Sequence, residues 1–354
     1  MRNPHLQTLW PVFFRRWLRP KLRRERLELP DGDFVDLDWT LNDSGPMVMI
    51  FHGLEGGGKS HYARGMLDTL PRHGMRGVLM HFRGCSGEPN RRARAYHSGD
   101  TGDIDFLVRT LKAREPNTPL AAIGYSLGGN ALLKWLGEQG EQAPVQCAAA
   151  ISVPFLLHAS SQHLNRGFAR VYQWHLLKSL KRNVRRKAAK FATAVDGGRS
   201  GLLPTRGITP SMEGRSAGRE AVVPTGTNAG TVFRPSPVPP NEVSQMKSFY
   251  EFDDRITGPL HGFRDAMHYY TASSSRQFLK CIRTPTLIVH ASDDPFMPAQ
   301  VIPGATELSP AIALELQRHG GHVGFIGGRW PWRPRYWLEQ RIPAWLKQNN
   351  LAGM

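Results

Sequence analysis

Ser126 stands at the centre of Gly124-Tyr125-Ser126-Leu127-Gly128, between the apolar run LAAIGY and the helical run NALLKWL. A serine on a sharp turn from strand into helix, with glycines leaving room on either side, can present its hydroxyl as a nucleophile. The hydroxyl attacks poorly unless a base accepts its proton and a carboxylate orients that base. On an open α/β sheet carrying this motif, the chain order is serine, acid, histidine. Downstream, LIVHASDDP delivers Asp293 and Asp294 at the end of a buried run, and LELQRHGGHVGF carries His319 and His322 on a glycine-flexed loop. Asp294 is the predicted acid, because it lies deeper in the loop and the turn at Pro295 can aim it back across the sheet. Asp293 is then a helper or loop residue. His322 is the predicted base, because Gly320-Gly321 sets it on a mobile turn, whereas His319 stays close to the strand. A glycine-rich turn can also use its serine merely to cap a helix, and with 14 histidines any single one can be structural. The ordered set of three argues for chemistry.

Acyl transfer further requires donors for the oxyanion. The backbone N–H of Leu127, next to the nucleophile, is one candidate, and the N–H of Leu54 in FHGLEGGGKS is the other. Read from Gly53 to Gly58, the same loop fits the phosphate-binding pattern G-x-x-x-x-G-K-[ST]. A nucleotide-binding loop should be coupled to a strand-borne aspartate for Mg²⁺. The next strand ends LMHFRG without one, so the loop reads as an oxyanion loop, with no cofactor and no metal expected. Cys85 lies in a glycine-flanked loop with no base in evidence and reads as structural.

Elements able to position these groups follow from the apolar pattern. MVMIFHG (47–53), RGVLMHFRG (76–84), LAAIGY, VQCAAAISVP, TPTLIVHASDDP (284–295) and AIALELQRHGGHVGF (311–325) read as strands, separated by helices at 62–74, 103–114 and NALLKWLGEQG. This alternation predicts a mostly parallel sheet covered on both faces. RLELPDGDFVDLDW (26–39) reads as an antiparallel hairpin, and 335–348 as an amphipathic helix kinked at Pro343. The rhythm breaks between 158 and 270, predicting an inserted helical cap on a core formed by 1–157 and 271–354. Within it, 165–191 and 242–274 read as helical. The Gly/Pro-rich stretch 194–240 has too little apolar surface to offset its ordering entropy and is expected to be disordered or loosely packed. Phe168, Tyr172, Trp174 and Phe249 are candidates to line an acyl pocket or simply to pack cap helices.

The 354 residues suffice for a sizeable core, and three scattered cysteines suggest a reducing compartment. With no spanning run and no signal-peptide layout, a cytoplasmic location is expected. The net charge of +17 gathers in 15–26 and 178–190. Such runs are usually solvated faces. They also suit anionic lipid headgroups better than nucleic acid, since no nucleic-acid module accompanies them.

Together with FHGLEGG, HFRGCSG, DDPFMP and HGGHVGF, the chain carries NPHLQTLWP (3–11), LELPDGDFVDLDW (27–39), YHSGDTGDIDFLV (96–108) and EFDDRITGPLHGF (251–263). On these motifs it resembles the YheT-like α/β-hydrolases, bacterial esterases related to eukaryotic abhydrolases acting on lipid esters. The resemblance implies an α/β-hydrolase sheet with a helical cap, Ser126 as nucleophile, Asp294 as acid and His322 as base. The 194–240 stretch departs from it, where the family has a shorter connection. A serine esterase acting on a small-molecule ester is therefore expected. The alternatives are an acyltransferase using the same residues, and a catalytically idle lipid-binding or scaffold protein.

Overall fold

The structure is a computed structural model and describes residues 2–198, 238–328, 333–349 and 351. Eight strands form the main sheet: β1 (Arg23–Glu28), β2 (Phe34–Trp39), β3 (Met47–Phe51), β4 (Arg76–His81), β5 (Leu120–Tyr125), β6 (Cys147–Ile151), β7 (Thr286–Ala291) and β8 (Ile312–Gln317). Their order is β1-β2-β4-β3-β5-β6-β7-β8. The hairpin β1–β2 is antiparallel and joins β4 antiparallel, while every pair from β4 to β8 is parallel. Parallel strands need crossovers that cover both faces, which explains why β3, β5, β6 and β7 are buried throughout rather than alternating with polar residues.

Helix α1 (Pro4–Phe14) precedes the sheet; α2 (His61–Thr69), α3 (Gly102–Arg114) and α4 (Leu127–Gln139) follow β3, β4 and β5. Met49 and Phe51 pack in one core with Leu107, Leu132 and Trp135 of α3 and α4. Val48 and Ile50 pack in the other with Met66 of α2 and with Leu338, Ile342 and Leu346 near the C-terminus. The helix predicted over 62–74 changes to a 3₁₀ turn at Leu70–His73, where Pro71 cannot donate an α-helical hydrogen bond, and Gly74 caps it at φ 75°.

After β6 the chain leaves the sheet through α5 (Leu157–His163), α6 (Ala169–Gly198), α7 (Pro240–Gln245), α8 (Phe249–Phe252), α9 (Gly258–Leu260) and α10 (Ala266–Ser273) before returning as β7. Apolar residues of α6, α7 and α8 and of the segment after α8 form a third core containing Tyr172, Leu177, Val243, Phe249 and Ile256. One expectation changes here. The 242–274 stretch is several short helices, broken around Met246 and at Gly262 with φ 77°, and it includes a π-helical turn at Asp253–Thr257. The two ends of the 194–240 stretch are helical, in α6 and α7; its interior, 199–237, lies outside the described residues. The final helix α11 (Trp337–Gln348) runs through Pro343, and Arg335–Tyr336 pairs as a short strand with Ile326–Gly327 instead of opening the helix.

Arg83, in the loop after β4, holds the hairpin against α3. Its side chain donates to both carboxylate oxygens of Asp103 at 2.7 Å, to Asp31 at 2.6 Å and to Asp33 at 3.1 Å. Burial opposes its charge, but these carboxylates outweigh burial and raise its pKa. Replacing Arg83 by leucine strands buried carboxylates, so Arg83→Leu should cost about 3–5 kcal/mol in denaturant unfolding. A midpoint equal to wild type would show that the network contributes nothing.

Candidate active site

The strand-to-helix turn at Ser126 is tight and strained. Ser126 adopts φ 51°, ψ −117°, and its N–H donates to the carbonyl of Ile151 at 2.8 Å. The neighbouring glycines are a steric requirement: a Cβ on Gly124 would lie 2.6 Å from the Gly128 carbonyl oxygen, and one on Gly128 would lie 2.4 Å from that of Phe51. Without them α4 could not approach β5 closely enough to form the turn.

His322 and Asp294 come to this turn from the far end of the sheet. His322 Nε2 lies 3.0 Å from Ser126 Oγ, and Nδ1 lies 2.9 Å and 3.2 Å from the two carboxylate oxygens of Asp294. The tautomer that uses every contact has Nδ1–H donating to Asp294 and Nε2 accepting from the serine hydroxyl. Asp294 also accepts from the Phe296 N–H at 2.9 Å, and the Phe296 ring stacks on the imidazole with centroids 3.9 Å apart. Asp293 does something else. One of its oxygens accepts from the N–H groups of Gly320 and Gly321, and the other lies 3.1 Å from His319 Nδ1, so it braces the loop that carries His322. His319 remains at the surface with Asp293 and does not join Ser126.

The loop after β3 is held from below by His52. Its buried Nδ1–H donates to the Gly53 carbonyl at 2.7 Å, and its Nε2 accepts from the Phe82 N–H at 3.1 Å. Burial pushes this imidazole down to about 3, so it stays neutral and keeps both contacts. Tyr62 accepts the Gly53 N–H and Tyr96 accepts that of Glu55, which fixes Leu54 between them. The amides of Leu54 and Leu127 make no hydrogen bond to described residues, and both residues border a cavity with Ser126. The Gly53–Ser60 loop thus faces the serine. Among the described residues no group of three or more His, Cys, Asp or Glu could hold a metal ion. Cys85 is half-buried and burial pushes its thiol well up, which disfavours the thiolate a nucleophile needs.

Ser126 opens on two spaces. One is a mostly apolar cavity of about 210 Å³ beneath the inserted helices, lined by Leu164, Leu176, Leu180, Phe249, Phe252 and Ile256 among others. The other is a cleft reached past His322, bordered by Arg15, Arg16, Lys59 and Arg64. Of the four aromatic residues considered for an acyl pocket, Phe249 lines the cavity. Phe168 and Trp174 turn outward, and Tyr172 packs on Phe296 and lies 3.0 Å from His5 Nδ1. Helical patterning alone does not reveal which face of α6 meets the core.

Asp253 also lines the cavity, where its carboxylate accepts from Tyr270 Oη at 2.8 Å and Thr257 Oγ1 at 2.7 Å. Burial raises its pKa to about 6, against these hydrogen bonds. A raised carboxyl pKa means the folded state holds the proton more tightly than the unfolded chain. The resulting stabilisation is present below the unfolded value near 4 and is lost as pH rises through about 6. Asp253→Asn should therefore nearly match wild type in urea unfolding at pH 4 and exceed it at pH 8 by about 3 kcal/mol. A constant difference between the two pH values would contradict this.

Sequence reasoning missed the support for His322. Its N–H donates to Thr8 Oγ1 of α1 at 2.9 Å, and the next N–H, of Val323, donates to Ser152 Oγ at 3.1 Å. Gln7 makes two hydrogen bonds with the backbone of Ile326, at 2.6 Å and 3.1 Å. The usable signal was NPHLQTLWP itself, whose Gln7, Thr8 and Pro11 share one helical face.

Comparison with known proteins agrees with this architecture. Residues 46–328 match the family model described as the alpha/beta hydrolase fold. The chain is 44% identical to YheT of Escherichia coli (strain K12), a proposed esterase, over 97% of this chain and 90% of that one. It is 28% identical to the phospholipase ABHD3 of Mus musculus, over 97% and 77% of the two chains. Among solved structures, the Pyrococcus furiosus esterase Pf2001 superposes with a TM-score of 0.54 at 15% identity, covering 94% of this chain and 92% of that one. Among the described residues no helix is long and apolar enough to cross a membrane.

Proposed function

The chain belongs to the alpha/beta hydrolase fold family, and from that premise we propose that it is a serine esterase that cleaves lipid-type carboxylic esters through Ser126, His322 and Asp294. The observation that carries the proposal is the continuous relay Asp294–His322–Ser126, with contacts of 2.9 Å and 3.0 Å, opening on an apolar cavity. In the first step Ser126 Oγ attacks the ester carbonyl while His322 Nε2 takes the hydroxyl proton, and Asp294 stabilises the imidazolium that forms. The amides of Leu127 and Leu54 donate to the oxyanion. The tetrahedral intermediate collapses, His322 returns the proton to the departing alkoxide, and the acyl group stays on Ser126. Water, deprotonated by His322, then releases the acid.

In this reading the 158–270 excursion is the cap, and the cavity beneath it takes the acyl chain. Leu176 and Leu180 of α6 and Phe249 and Ile256 of the later helices supply its apolar wall. The cleft bordered by Arg16, Lys59 and Arg64 faces the alcohol portion. The names borne by YheT and ABHD3 support an ester as substrate and a lipid as its class.

A fluorophosphonate probe tests the assignment, since it reacts only with an activated serine. One covalent adduct is expected, on the tryptic peptide containing Ser126, and none in Ser126→Ala. An adduct on another serine, or no adduct on the folded protein, would end the proposal.

A further inference from the structure

Helix α1 is built inside out. The side packed on the protein carries Gln7, Thr8 and Pro11, with buried Arg15 just beyond the helix end. It is held largely by polar contacts, Gln7 to Ile326, Thr8 to His322, and Arg15 in a two-pronged ion pair with Glu339, with Leu9 half-buried against the core of the inserted helices. Leu6 and Phe13 on the opposite side and Phe14 at the helix end are exposed to solvent, followed by Trp17, which is 76% exposed. A helix of a water-soluble surface normally has the reverse arrangement. Exposed aromatic residues clustered this way mark a surface that meets something apolar.

A second such stripe adjoins it. Phe168, Val171 and Trp174 at the start of α6 are exposed, Trp174 by 62%. The two elements meet at His5, whose ring lies 4.5 Å from that of Phe168. Between them runs the cleft to Ser126, bordered by Pro11, Val12 and Arg16 on one side and His175 and Leu176 on the other. Both segments are basic: residues 1–24 and 159–195 contain no Asp or Glu, while Arg16, Arg19, Arg166, Arg170 and Lys178 are exposed.

We propose that these two stripes form a docking surface for an anionic lipid bilayer, placing the mouth of the Ser126 cleft against the membrane interface. Aromatic residues on an apolar face with a cationic rim are the combination that binds such an interface in plane, without crossing it. The occupant is identified by charge: an uncharged partner would leave the rim without purpose, and a second copy of this chain would bring like charge against like. Docking rests on the esterase reading only for its purpose, not for its occurrence.

The test uses the full chain, sedimented with vesicles of phosphatidylcholine containing about one quarter phosphatidylglycerol, and compares wild type with the combined variant Phe13→Ser, Trp17→Ser, Trp174→Ser. Wild type should pellet with the vesicles, less so in high salt, and the variant should partition about tenfold or more weakly. Both should hydrolyse a soluble short-chain ester at the same rate. If the combined variant has a lowered unfolding midpoint, Trp17→Ser alone, beyond the helix end, carries the comparison. Equal partitioning of variant and wild type, wild type remaining in the supernatant, or a wild-type dimer that the substitutions dissolve without any vesicle binding would each overturn the proposal. Vesicle binding with no ester turnover by wild type would instead sink the esterase reading and leave docking standing.

Discussion

Ser126→Ala is expected to lower kcat/KM for a p-nitrophenyl short-chain ester by about 10⁴- to 10⁶-fold while leaving the unfolding midpoint nearly unchanged. That loss corresponds to roughly 5–8 kcal/mol of transition-state stabilisation. The fold should tolerate the change, because the strained turn at φ 51° is imposed by packing of α4 on β5 and alanine meets the same backbone demand. Among the described residues the lost oxygen is hydrogen-bonded to His322 and to no structural partner. His322→Ala should cause a similar loss, and the double variant should be scarcely worse than either one. The two side chains act on one proton, so removing the second takes away nothing the first had left working. Multiplying losses would mean that serine and histidine serve separate functions. Whatever rate remains should come from the Leu54 and Leu127 amides and from binding, which neither substitution disturbs.

The parts of the molecule legible in sequence were those whose signal is local. Buried parallel strands are apolar without interruption, so β3 to β7 could be read from their runs, and a serine between close-packing glycines announces its turn. The ordering of Asp294 and His322 after Ser126 came from topology, which fixes where strand ends lie. Contacts closing over long stretches of chain were not legible. Thr8 and His322 are 314 residues apart and hydrogen-bonded, yet neither residue type advertises the other. α1 was opaque for a physical reason: pattern reading assumes that apolar residues point inward, and here Gln7, Thr8 and Arg15 do so while Phe13 and Phe14 do not. The same assumption placed Phe168 and Trp174 among the candidates for the acyl pocket, although both face solvent. The order of short helices after α6 depended on turns at Met246 and Gly262, which interrupt a pattern that looks continuous by composition.

Neighbouring aspartates offer the sharpest contrast the site allows. Asp294→Asn should reduce kcat/KM by about 10⁴-fold, whereas Asp293→Asn should cost no more than about tenfold. Asparagine at 294 turns an amide donor or a weaker acceptor toward His322 Nδ1. Where the NH₂ faces the ring, Nδ1 must accept, its proton moves to Nε2, and Nε2–H then points at Ser126 Oγ, which it can no longer deprotonate. Where the carbonyl faces the ring, the tautomer survives but the negative charge that stabilises the imidazolium is gone. Either way KM should change little, because Asp294 is buried behind His322 and meets no substrate. At 293 the demand is different. Oδ1 accepts from the Gly320 and Gly321 amides, and an asparagine carbonyl can do the same, so the loop keeps its shape and only the contact to exposed His319 weakens. Equal losses at the two positions would mean that the carboxylates matter only as loop braces. A larger loss at 293 would move the acid to that residue and require His322 to turn away from the partner it now has at 2.9 Å.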